Sequence, residues 1–119
     1  MSEPVLDLSI LAELERRLGR DRILKVVSAQ IANGRDMARR FAVLELAPDA
    51  VSIKALAHQI AGSSGSIGLG RLSSLAASVE VNALAATPAA LPGLAHAMQE
   101  GIEAALAALV IQYPEISEA

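Results

Sequence analysis

Apolar residues recur along this chain every three or four positions, which is the period of amphipathic α-helices. No segment alternates apolar and polar residues as a half-buried β-strand does, and no internal repeat is visible. The apolar or small residues of the buried stripes form five groups: Ile10, Leu11, Leu14 and Leu18; Ile23, Leu24, Val27, Ile31, Ala38, Phe41 and Leu44; Ile53, Leu56, Ala57, Ile60, Ser64 and Ile67; Leu72, Leu75, Ala76, Val79 and Ala83; and Leu94, Met98, Ile102, Ala105 and Leu109. The pattern predicts an all-α fold, an antiparallel four-helix bundle with an additional short N-terminal helix, in one domain over residues 1–119.

Cap and turn residues predict where these helices begin and end. Asp7, Asp21 and Asp49 are candidate N-caps of the first three helices, because a short carboxylate can accept the unpaired N–H groups of a first turn. Predicted stops and connections follow at Gly19, at residues 46–49, at residues 87–93 with their two prolines, and near Tyr113.

Asn33-Gly34 interrupts the second segment and would ordinarily indicate a turn. The apolar stripe keeps its phase across this dipeptide. We therefore predict one long helix that is weakened at Gly34.

The third helix carries a histidine on its outer face. At about 100° per residue, His58 lies roughly 140° from the centre of the apolar stripe, Gly62 near 180° and Gly65 near 120°. A glycine inside a helix costs roughly 1 kcal/mol relative to alanine, so two of them need a physical reason. Bare backbone beside an outward imidazole would let another protein come within bonding distance of it.

Other interpretations of this segment exist. Gly62 or Gly65 would also serve as a helix C-cap followed by a flexible loop over residues 63–70. A phosphate-cradling loop is disfavoured, because the stretch lacks the Lys-Ser or Lys-Thr of a P-loop and the third glycine of a dinucleotide site, and because it follows a helix. His96 also faces outward, but Gln99 and Glu100 crowd it, so we expect an ordinary solvated residue there.

Composition narrows the classes of function. The chain has no cysteine, which excludes disulfides, thiolate chemistry and cysteine metal sites. A formal charge of −3 with no basic stripe or aromatic platform argues against nucleic-acid binding. The longest unbroken apolar run, 104–111, is shorter than the ~20 residues of a membrane span, and the first residues show no signal peptide. We expect a cytoplasmic protein with no membrane association.

The chain resembles the histidine-containing phosphotransfer (HPt) domain family, whose signature runs Ala-His-x-Leu-Lys-Gly, two small residues, a few further residues, a glycine, and then spaced leucines that end at a polar residue. The corresponding residues are Ala57-His58-Gln59-Ile60-Ala61-Gly62-Ser63-Ser64, then Ile67-Gly68, Leu72, Leu75-Ala76 and Val79-Glu80. Upstream, Leu6-Asp7, Leu18-Gly19-Arg20-Asp21 and Asp49 also fit. The resemblance covers nearly the whole chain.

By this resemblance His58 is the phosphorylated residue, Glu80 orients its imidazole, and Gly62 gives clearance to a receiver domain. A solvated glutamate with no such role would look the same in sequence. Ala61 departs from the family, which usually has lysine there. Lys54, one turn before His58, is a possible phosphate contact, or simply a solvated lysine, and Arg71 is a more distant candidate.

The resemblance implies a phosphorelay intermediate of a multistep two-component system. It would accept a phosphoryl group on His58 from a receiver-domain aspartate and pass it to another receiver. The partners expected are response-regulator receiver domains and a hybrid histidine kinase. This chain, a monomer without an ATP site, is expected to hold no metal or cofactor, because the Mg²⁺ would bind to the receiver partner. The alternative is a binding module that docks response regulators or partner helices without carrying phosphate.

Overall fold

A computed structural model describes residues 3–116, and the regular secondary structure of this part of the chain is helical, with no β-strand. Five α-helices follow one another: α1 (Leu8–Leu18), α2 (Arg20–Leu46), α3 (Ala50–Gly65), α4 (Gly70–Asn82) and α5 (Leu91–Gln112), with a 3-10 turn at Pro88–Ala90. The helices α2 to α5 form the bundle, and α1 packs on α2. The predicted fold class is confirmed. Residues 1, 2 and 117–119 of the predicted domain lie outside the described residues.

Two of the three predicted aspartate caps are confirmed. The Asp7 carboxylate accepts the Ser9 N–H at 3.0 Å, and the Asp49 carboxylate accepts the Val51 N–H at 3.2 Å. These bonds, together with hydroxyl bonds from Ser9 and Ser52, hold the pKa of each aspartate below its usual value. The start of α3, which carries the histidine, is thus tied to Asp49.

The predicted cap at Asp21 is wrong. The helix α2 already begins at Arg20, and Asp21 lies within its first turn. Gly19 directly joins α1 to α2 with φ 86°, a left-handed backbone value that favours glycine and lets the chain turn without a linker.

The predicted connection at residues 87–93 is too long. The helix α5 begins at Leu91, so that Pro92 and Gly93 lie in its first turn. Proline is tolerated there because the N–H groups of a first turn have no helical partner.

Gly34 lies inside one continuous α2, as predicted, and the structure shows the reason for a glycine there. A Cβ on Gly34 would come within 2.8 Å of Leu106 Cδ2, and one on Gly101 within 2.6 Å of Leu75 Cδ2. The two glycines of α2 and α5 therefore accommodate leucine side chains of neighbouring helices. Close helix packing outweighs the low helix propensity of glycine at these positions.

The segment Pro88–Gln112 is long enough to cross a membrane, and an 18-residue window within it is apolar enough, with a mean hydropathy of 1.3. One such segment is weak evidence for a membrane protein, because the core helix of a bundle meets the same criteria. Six residues of α5 lie in the hydrophobic core, namely Leu91, Ala95, Met98, Ile102, Ala105 and Leu109.

The N-terminal segment crosses the α3–α4 turn and is bonded to it. The Asp7 N–H donates to the Gly68 carbonyl at 2.8 Å, and the Arg71 N–H donates to the Pro4 carbonyl at 3.2 Å. Gly68 has φ 88°, and a Cβ there would lie 2.8 Å from the Asp7 carbonyl oxygen. These bonds attach the N-terminal segment to the turn that joins α3 to α4.

Ser64 is fully buried in α3, and its hydroxyl has no hydrogen-bond partner among residues 3–116. We predict that Ser64→Ala raises the free energy of unfolding by about 1 kcal/mol, because it removes a desolvated hydroxyl and improves helix propensity. Urea unfolding measures the change. Ser63→Ala, on the half-buried side of the same helix, is the control and should change little. A loss of stability in Ser64→Ala would contradict the prediction.

Candidate functional site

His58 projects from the middle of α3 into solvent. Its side chain is 73% exposed. The opposite face of the helix is buried as predicted, at Ile53, Leu56, Ala57, Ile60 and Ser64. Burial of that stripe determines the rotation of α3 about its axis, and this rotation turns the imidazole outward.

The imidazole is held by a carboxylate from the next helix. His58 Nδ1 lies 2.8 Å from Oε2 of Glu80, whose side chain is 26% exposed. A carboxylate only accepts, so the neutral ring donates its hydrogen from Nδ1, and Nε2 keeps its lone pair. The structure thus brings together the histidine and the glutamate that the sequence separates by 22 residues.

Gly62 lies one turn beyond His58 and is exposed. A Cβ built there would meet no heavy atom within 4 Å. Gly62 is interior to α3, and the positive-φ residue of this region is Gly68, so neither Gly62 nor Gly65 is a left-handed cap. The bare backbone at Gly62 leaves open space beside the imidazole.

Gly65 has a different environment from Gly62. A Cβ on Gly65 would lie 3.3 Å from Ser73 Oγ on α4. The prediction that Gly65 opens the outer surface is therefore wrong in part: the residue is solvent-exposed, but its missing side chain also lets α4 approach α3.

The candidate cations differ in availability. Lys54 is half-buried and forms no ion pair within residues 3–116. Arg71 is bonded to the N-terminal segment, since its Nε donates to the Glu3 carbonyl at 3.0 Å. Among the described residues no cluster of three His, Cys, Asp or Glu side chains could hold a metal ion.

His96 is exposed, as predicted, but it also contacts two carboxylates. Its Nδ1 lies 3.3 Å from Glu45 Oε1 on α2, and its Nε2 lies 3.7 Å from Glu100 Oε2. Gln99 donates to the same Glu45 oxygen at 2.7 Å. Both ring nitrogens of His96 therefore face carboxylates, whereas Nε2 of His58 faces solvent.

Sequence reasoning missed a shallow groove of about 450 Å³ between α2 and α3, lined by Arg40, Val43, Leu44, Ser52, Ala55, Leu56 and Gln59. Its residues on α3 flank His58 in the sequence, but those on α2 become neighbours only through packing. A larger groove of about 550 Å³ lies between α2 and α5 and includes no residue of α3 or α4. That larger groove is therefore separate from the histidine.

The chain is similar to known proteins in sequence and in fold. The family model of the Hpt domain matches residues 9–110, a range that contains both His58 and Glu80. The crystal structure of histidine-containing phosphotransfer protein B (HptB) from Pseudomonas aeruginosa PAO1 is similar in fold, with a TM-score of 0.82 over 98% of this chain and 100% of that chain. The two sequences are 20% identical. No curated protein matches the chain.

We predict that Gly62→Ala leaves the fold intact and raises the free energy of unfolding by up to about 1 kcal/mol, because the added methyl meets open space and alanine favours the helix. Gly68→Ala is the matched control, since its left-handed φ and the nearby Asp7 carbonyl should make it destabilising. Thermal melts compare the two. A marked fall in midpoint for Gly62→Ala would show that the glycine is needed for the fold.

Proposed function

This chain belongs to the Hpt domain family, and we propose on that basis that it is a phosphorelay intermediate that carries a phosphoryl group on Nε2 of His58. Hpt domains are phosphoryl carriers in histidine phosphotransfer, not kinases. The observation that carries the proposal is the 2.8 Å contact between His58 Nδ1 and Glu80. It leaves the one nucleophilic nitrogen of the ring pointing to solvent.

The chemistry follows from this hydrogen bond. The Nε2 lone pair attacks the phosphorus of an aspartyl phosphate on a receiver domain, and the P–O bond to the aspartate breaks. The carboxylate leaves with the bonding electrons, and the new N–P bond leaves positive charge on a ring that still carries hydrogen on Nδ1. The Glu80 carboxylate stabilises that charge across the same hydrogen bond. Transfer to a second receiver is the reverse reaction.

Clearance at Gly62 supports the proposal. In-line attack requires the aspartyl phosphate to come within about 3–3.5 Å of Nε2, so the receiver backbone must approach α3 closely. A side chain at position 62 would occupy the space that such an approach needs. Gly62 therefore gives the receiver access to His58, while Glu80 orients the imidazole ring.

The phosphoryl group brings negative charge to a surface with few cations. Ala61 stands where the family usually has lysine, so Lys54 is the cation on α3 that would pair with the phosphoryl oxygens. Mg²⁺ bound to the receiver would supply the remaining charge. The proposed partners are receiver domains and a hybrid histidine kinase, met in the cytoplasm by a monomer.

A second candidate function is a module that docks receivers without being phosphorylated. Ala61 favours this alternative, because the position lacks the cation of the family. The bonded imidazole opposes it, because docking alone does not require a particular ring nitrogen to be free.

We predict that His58→Gln abolishes labelling by a phosphorylated receiver, whereas His96→Gln changes labelling little. The reason is that His96 has carboxylates at both nitrogens and His58 has one free nitrogen. Acid-labile, base-stable label on the chain measures transfer, and circular dichroism checks that helicity is retained. Persistent labelling of His58→Gln would refute the assignment, and an unlabelled wild-type chain would favour the docking module.

We further predict that Ala61→Lys stabilises phospho-His58 or speeds its formation several-fold. Position 61 lies roughly 60° from His58 and one turn along the helix, within reach of a long side chain. An exposed cation that pairs with phosphate contributes about 1 kcal/mol after screening. Rates of label gain and loss measure the effect.

Lys54→Ala is the companion variant and should slow transfer if Lys54 already contacts the phosphoryl group. The engineered lysine at position 61 should then rescue it. Unchanged kinetics in both variants would mean that the receiver alone supplies the positive charge.

A further inference from the structure

A second polar contact joins α3 to α4 close to the histidine. Ser73 Oγ donates to the backbone carbonyl of Ala61 at 2.9 Å. The same hydroxyl faces Gly65, where a Cβ would lie only 3.3 Å away. We propose that Ser73, seated against Gly65 and bonded to Ala61, is a positioning residue that sets the register of α4 on α3 and so holds Glu80 at His58 Nδ1. This inference rests on the proposed function of His58.

The spacing of these residues connects the two contacts. Ser73 and Glu80 are seven residues apart, which places them on one face of α4 about 10 Å from each other. On α3, His58 is three residues before Ala61 and seven before Gly65. The helices are antiparallel, so the two contacts lie one after the other along the same α3–α4 interface. Within residues 3–116 they are the side-chain hydrogen bonds that link α3 to α4.

Apolar packing buries one side of each helix, at residues such as Ala57 and Ile60 on α3 and Ala76 and Val79 on α4. Apolar contacts have no single defined partner atom, so they constrain sliding of one helix along the other less sharply than a hydrogen bond does. Sliding of one helix along the other lengthens and misaligns the 2.8 Å contact between His58 and Glu80, and hydrogen bonds weaken steeply with misalignment. A polar contact with a defined partner resists such sliding.

Gly65 leaves room for the Ser73 hydroxyl because it has no side chain. In α3 the Ala61 carbonyl accepts the N–H of residue 65 and, through its second lone pair, the Ser73 hydroxyl. A methyl group at position 65 would press on Oγ at 3.3 Å, whereas the Cβ of residue 73 would remain at 3.9 Å, an ordinary contact. The effect of Gly65→Ala should therefore depend on whether residue 73 carries a hydroxyl.

The test has two readouts. The first is the fraction of neutral His58 imidazole with its hydrogen on Nδ1, obtained from ¹⁵N chemical shifts, with Glu80→Ala as the reference for complete loss of the contact. The second is the rate of phosphoryl transfer from a phosphorylated receiver. Ser74→Ala is the matched control, because Ser74 lies next to Ser73 on α4 but bonds Glu3 of the N-terminal segment.

We expect Ser73→Ala to lower the Nδ1–H fraction toward that of Glu80→Ala and to slow transfer roughly threefold to tenfold, as loss of one hydrogen bond allows. Ser74→Ala should leave both readouts unchanged. Gly65→Ala should also lower both, but it should add nothing in a Ser73→Ala background.

A merely structural role for Ser73 would give a different result. Ser73→Ala would then lower the thermal midpoint while the Nδ1–H fraction of His58 and the transfer rate stayed at wild-type values, and this would overturn the inference. Equal effects of Gly65→Ala in the wild-type and Ser73→Ala backgrounds would overturn it as well. The Nδ1–H fraction can be measured without phosphate, so it tests the inference even if the wild-type chain takes no label.

Discussion

The hydrogen bond between His58 and Glu80 fixes the orientation of the exposed imidazole, and it depends on how α3 packs against α4. The hydrogen of a neutral imidazole in solvent can lie on either ring nitrogen, and the Glu80 carboxylate favours the tautomer with hydrogen on Nδ1. The bond is possible only if α3 and α4 keep one rotation and one register. Burial of the α3 stripe determines the rotation, and the turn around Gly68 closes the hairpin.

The glycines near the histidine act through different neighbours. Gly62 has open space where a side chain would be, Gly65 admits a serine of α4, and Gly68 combines a left-handed backbone with a close carbonyl of the N-terminal segment. A single sequence pattern thus contains an open surface position, a helix-packing residue and a turn residue. Each lacks a side chain for a separate physical reason.

The surface beside the His58 imidazole offers few cations. Glu80 pairs with the ring, and Ala61 places no charge next to it. Under the proposed function, this carrier would depend on cations of its receiver more than a family member with lysine at this position would.

The amino-acid sequence by itself determined the five helices, the caps at Asp7 and Asp49 and the outward face of His58, because these depend on local periodicity and short-range hydrogen bonds. Only the tertiary structure placed Ser73 against Gly65 and brought Glu45 of α2 to His96. Contacts between residues distant in sequence depend on helix register, which apolar periodicity leaves open. The motif linked His58 to Glu80 by resemblance, and the packing of α3 on α4 gave that link its 2.8 Å geometry.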